Sequence, residues 1–129
     1  MKLLLPLALA ACLAASPAAA ETLDVQPVMK EVQAQCVQDG KDAGVKKAKT
    51  FCACGTKNIA AWVNGAEGVE QQTRLWSLKR NSLPESVTDE QVYARAAEAG
   101  VEENALKSLI IANYYTMDGF FQDCMDIIQ

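Results

Sequence analysis

The sequence predicts an all-α fold, a small bundle of about five helices stapled by two disulfides. Two observations carry that prediction. Apolar residues in every long segment recur at intervals of three and four, the period of a helix, and no segment alternates as a strand would. Cys36, Cys52, Cys54 and Cys124 follow a secretory leader, and thiols in an exported chain of this size read first as disulfides.

Residues 1–20 have the form of a cleavable signal peptide. Lys2 supplies the positive start, Leu3 to Leu13 the apolar core, and Ala18-Ala19-Ala20 the small-residue site before Glu21. The apolar stretch is too short to span a bilayer, and no later segment reaches ~18 apolar residues without charge. A single helical domain over 21–129, periplasmic or secreted, is therefore expected. Leu9-Ala10-Ala11-Cys12 also resembles a bacterial lipobox, which gives the alternative of a lipoprotein anchored at Cys12. A leader ending there is shorter than the usual ~15–30 residues, which favours Cys12 as a discarded leader residue.

The first helix is expected from about Pro27 to Gln38, with Val25, Val28, Val32 and Cys36 on one face and Asp39-Gly40 as its stop. The second, Val45 to Val63, carries the most regular stripe: Val45, Ala48, Cys52, Gly55, Ile59 and Trp62. Gly55 inside that stripe costs up to ~1 kcal/mol against alanine, so close approach of another element is expected there. A third helix covers Val69 to Lys79, offering Val69, Leu75, Trp76 and Leu78 to the core. Thr88-Asp89-Glu90-Gln91 is a capping-box signature that opens a fourth helix, Asp89 to Ala99, closed by Gly100. The last helix, Glu102 to Ile127, is the longest, with Gly119 as a place where it could kink. Asn113 falls on its buried stripe and needs a hydrogen-bond partner there.

The chain carries a net charge of −4, which argues against nucleic acid as a partner. Lys41, Lys46, Lys47, Lys49 and Lys57 cluster near the cysteine pair, while the stretch from Glu85 onward holds nine acids against Arg95 and Lys107. Mutual attraction of these helix faces within the monomer is the expected arrangement. There is no histidine, which closes Ser-His-Asp and Cys-His catalysis and His-ligated zinc. Asp89-Glu90 and Glu102-Glu103 begin helices, where carboxylates complement the dipole, so they read as helix starts before they read as catalytic acids. No catalytic residue, cofactor or metal site is expected.

At about 3.6 residues per turn, Cys52 and Cys54 point about 200° apart and cannot bridge each other on one helix. Each must pair elsewhere. Cys36–Cys52 with Cys54–Cys124 is favoured over Cys36–Cys54 with Cys52–Cys124. Two further chemistries compete with the staple. Cys52 and Cys54 could form a redox pair, acidified by a helix N-terminus with Lys49 and Lys57 nearby. The four thiolates could instead hold zinc, or cysteine with Met29, Met117 or Met125 could hold Cu(I).

Tyr114-Tyr115 and Phe120-Phe121 must each turn one ring off the core axis, so these four form the best partner surface in the chain. The function expected is that of a small exported non-enzymatic protein that binds another macromolecule, of inhibitor, immunity or adaptor type. A thiol–disulfide or metal-handling protein using the Cys52-x-Cys54 pair is the alternative.

Overall fold

The computed structural model describes residues 20–129; residues 1–19, with the expected leader and Cys12, lie outside the described residues. Five α-helices follow in order: α1 Val25–Asp42, α2 Ala48–Asn64, α3 Gly68–Ser82, α4 Asp89–Glu98 and α5 Glu103–Thr116. A 3₁₀ segment, Met117–Ile127, ends the chain, and no strand occurs among the described residues. The fold is the all-α bundle that the apolar periodicity predicts.

α1 and α2 form a hairpin. Gly40 packs against Ala48 and Cys36 bonds Cys52, two pairings both centred on Gly44, as an antiparallel pair requires. α1 runs past its expected stop because Gly40 is a contact residue and not a terminator. A Cβ there would come within 2.9 Å of the Ala48 Cβ, so only glycine lets the two helices close so tightly. Gln35 Nε2 to Asp39 Oδ1 (2.8 Å) and Gln38 Nε2 to Asp42 Oδ1 (2.9 Å) secure the added turn. The chain reverses further on, where Gly44 (φ +73°) and Lys47 (φ +60°) take left-handed conformations.

α3 is the central helix. Leu75 and Leu78 join Val28, Val32, Ile59 and Val63 in one apolar cluster, shared with α1 and α2. Trp76 faces the other way, into a second cluster with Val92, Ala96 and Leu106 of α4 and α5. Burial on both sides leaves only its start outside, and Val69, expected in the core, is half exposed. Among the polar residues, Asn113 finds its partner here: its Nδ2 donates to Ser77 Oγ (2.7 Å), which donates to the Arg74 carbonyl (2.7 Å).

Both later helix starts use side-chain caps. Thr88 Oγ1 accepts from Gln91 N (3.2 Å) and Gln91 Oε1 accepts from Thr88 N (3.0 Å), completing the capping box. The Glu102 carboxylate accepts from Asn104 N (3.0 Å) and Ala105 N (2.8 Å). Upstream of α1, Gln72 clamps Leu23 through both backbone groups (2.9 and 2.8 Å).

The expected last helix divides at Met117. Asn58 on α2 donates to the Phe120 carbonyl and to Asp123 Oδ1, both at 2.8 Å. With about three residues per turn, the 3₁₀ form aligns Phe121, Cys124 and Ile127 on one line and Met117 with Phe120 on the next. Its rise of about 2.0 Å per residue lets the segment run further along α2 than an α-helix of the same length.

Candidate functional site

The regular stripe of α2 determines what the cysteines can do. Cys52 belongs to its buried face and Cys54 to the opposite side, so they bond in opposite directions. Cys36–Cys52 ties α2 to α1 (Cα–Cα 5.8 Å), and Cys54–Cys124 ties it to the 3₁₀ segment (Cα–Cα 6.0 Å). Both distances lie in the usual ~4.4–6.8 Å range of disulfides. All four sulfurs are thereby engaged with one another. Cys54, Asp123 and Cys124 present ligand atoms within 4.8 Å of each other, but two of the three are joined as a disulfide and offer no thiolate. Met29 and Met117 pack in and against the α1–α3 cluster, while Met125 is exposed.

The four rings singled out in the sequence separate into two pairs. Phe120 and Phe121 turn inward, half-buried, Phe120 against Trp62 (centroids 5.5 Å) and Phe121 against Phe51 (5.1 Å). Phe121 also lies over Gly55, which explains the glycine in the stripe: a Cβ there would collide with the ring. Tyr114 and Tyr115 both turn outward, 72% and 77% exposed and edge-on to one another at 5.4 Å. Ile111, 62% exposed, lies one turn before them. The outer face of α5 thus presents three large apolar side chains, and Ile111 is the member that sequence reasoning missed. Its signal was present in the run Leu109-Ile110-Ile111, three consecutive apolar residues that one narrow helix stripe cannot all bury.

The charges do not balance as expected. Arg74, Lys79, Arg80, Arg95 and Lys107 each pair with a carboxylate. Lys30, Lys41, Lys46, Lys47, Lys49 and Lys57 form no ion pair among the described residues. Three of them, Lys30, Lys41 and Lys49, border one depression across α1 and α2. The carboxylates of α1 are engaged elsewhere: Glu31 reaches Lys79 (3.9 Å), and Asp39 and Asp42 accept from glutamines.

On the other side of that hairpin lies a groove of about 830 Å³. α1, α2, the α3–α4 connection and the start of the 3₁₀ segment enclose it, with the Cys36–Cys52 bridge in its wall. A second depression, about 650 Å³, adjoins it beyond the Phe51–Phe121 ring pair. Both share Cys36, Phe51 and Phe121, and both are lined mainly by apolar side chains.

Fold and surfaces define a class: a disulfide-stapled helical domain with exposed apolar surface on two sides. No helix among the described residues is long and apolar enough to cross a membrane. No protein-family model, curated protein or solved structure matches the chain.

Proposed function

We propose that this is a non-enzymatic protein, exported through its leader to the periplasm or beyond, that acts by binding another macromolecule through the outer face of α5. The observation that carries the reading is the exposure of Ile111, Tyr114 and Tyr115 on adjoining turns. Large apolar residues grouped in solvent mark interaction surfaces, and tyrosine is prominent among the residues that carry binding energy. The two disulfides support an oxidising compartment, in keeping with the leader. The size and the absence of histidine fit an inhibitor, immunity or adaptor role.

Site-specific photocrosslinking in cells that make the protein tests this. A photoreactive phenylalanine derivative replaces Tyr115 and, in a reference chain, exposed Lys57. A discrete protein adduct from position 115, absent from position 57 and lost with Ile111→Lys, supports the reading. Equal adducts from both positions, or none from position 115, overturn it. Ile111→Lys is expected to change the melting temperature little, because most of the side chain it replaces is already in water.

A further inference from the structure

We infer that the groove beside the Cys36–Cys52 bridge is a docking site for a cationic amphipathic peptide segment, helical when bound. This groove shares Asn81 and Pro84 with the depression beside Ile111, Tyr114 and Tyr115 but is centred on α1, α2 and the 3₁₀ segment, and its occupancy does not depend on the function proposed for α5. The floor is apolar: Phe51 and Phe121 stand at its centre, Val45 and Met117 on one side, exposed Met125 on the other. Every charged residue that borders the two depressions is acidic: Asp39 and Glu85 on the first, Asp118 on the second. None of the three belongs to an ion pair among the described residues, and three of the unpaired lysines, Lys30, Lys41 and Lys49, border a different depression. The charged residues that line the groove are therefore carboxylates alone, and none of them is held in an ion pair among the described residues.

Charge complementarity selects the occupant. An anionic or zwitterionic ligand meets three carboxylates and gains nothing from them, whereas lysine or arginine flanking an apolar stripe meets all three. The size selects a segment over a small molecule. The two depressions adjoin at the ring pair, and each alone, about 830 and 650 Å³, is within the ~300–1,000 Å³ of a typical small-molecule pocket, so filling both takes an extended occupant. A helix that lays its apolar face into an open groove, with anchors one turn apart, can fill both. Met117 and Met125 suit the task, since unbranched thioethers repack around different apolar side chains.

The test uses the protein exported and oxidised by a bacterial host. The probe is a synthetic leucine–lysine peptide patterned as an amphipathic helix, with a leucine–glutamate peptide of the same pattern and a scrambled leucine–lysine peptide as references. Fluorescence anisotropy reads affinity, and amide shifts read location. The patterned cationic peptide is expected to bind, shifting Gly40, Phe51 and Gly119, and to bind at least tenfold more tightly than either reference. Asp39→Lys with Glu85→Lys is expected to weaken binding roughly tenfold. Glu90→Lys with Glu98→Lys changes net charge equally but lies on exposed positions outside the groove, and is expected to change affinity less than about twofold. All four positions are exposed, so the fold is retained in both variants, which a native-like circular dichroism spectrum checks. Equal loss in both charge-reversed variants, equal affinity for the scrambled or glutamate peptide, shifts confined to other surfaces, or no binding at all would each overturn the proposal.

Discussion

Gly55 sits in the buried stripe of α2, and the ring of Phe121 fills the space that a side chain there would need. Two effects of Gly55→Ala oppose each other. Helix propensity favours alanine by up to ~1 kcal/mol, while forcing a ring out of a packed site costs roughly 1–3 kcal/mol. The steric cost wins, so Gly55→Ala is expected to destabilise, read as a lower denaturation midpoint in urea. Gly119 gives the contrast, since a Cβ there meets nothing within 4 Å. Gly119→Ala is expected to leave stability unchanged or raise it by up to ~1 kcal/mol, through the entropy of the unfolded chain. The buried Asn113–Ser77–Arg74 relay follows the same logic of local replacement. Ser77→Ala leaves the Asn113 amide buried without its acceptor and is expected to cost about 1–3 kcal/mol. Adding Asn113→Leu removes the stranded group, so the double variant should be more stable than Ser77→Ala alone; a further loss would show that shape, and not the amide, is what Asn113 contributes.

α4 is short, and its start rests on the reciprocal bonds between Thr88 and Gln91. Thr88→Ala is expected to cost about 1 kcal/mol, seen as a drop of several degrees in thermal unfolding. This box was legible in the sequence because a cap is a local event, set by residues three apart. The stripes of α2 and α3 were legible because burial repeats with the helix turn, and the exclusion of a Cys52–Cys54 bridge because residues two apart on a helix face opposite ways; which partner each takes depends on distant elements. What escaped was set by distant partners. Asp39-Gly40 reads locally as a stop, yet Gly40 is needed where Ala48 presses on α1. The 3₁₀ segment has apolar residues that fit either helical period over so short a run, and Asn58, sixty-two residues before Phe120, is among the groups that engage its backbone. The tyrosine and phenylalanine pairs have the same sequence pattern but opposite fates. On α5 the buried position falls to Asn113, which turns both neighbouring tyrosines outward, whereas the phenylalanines face α2 on adjoining lines of a tighter helix. The groove draws its lining from segments scattered between Val32 and Phe121, so no local pattern announces it.

For the whole molecule, α2 is the member to which both bridges attach. Cys36–Cys52 spans a sequence separation of 16 and Cys54–Cys124 one of 70. The chain-entropy model gives roughly 3 kcal/mol for the first loop and about 4 kcal/mol for the second. Their combined effect is comparable with the ~5–15 kcal/mol total stability of a small domain, so reduction of both is expected to unfold the protein. Singly, the bridges should act on different regions. Removing Cys54 and Cys124 together frees the 3₁₀ segment, whose remaining hold on α2 is the Asn58 hydrogen bonds and the phenylalanine contacts. Hydrogen exchange should then accelerate over Met117–Ile127 while the α3–α5 cluster stays protected; uniform acceleration would mean that the bridge stabilises the whole cooperative unit. The same variant tests the Cys36–Cys52 bridge. Trypsin leaves Cys52 and Cys54 in one peptide, Thr50–Lys57, because only Ala53 separates them, so the native digest cannot assign partners. In Cys54→Ala/Cys124→Ala, the mass of Thr50–Lys57 joined to Glu31–Lys41 is expected without reduction. Free thiols at Cys36 and Cys52 in a chain that still folds would overturn the arrangement in which α2 is held from both sides.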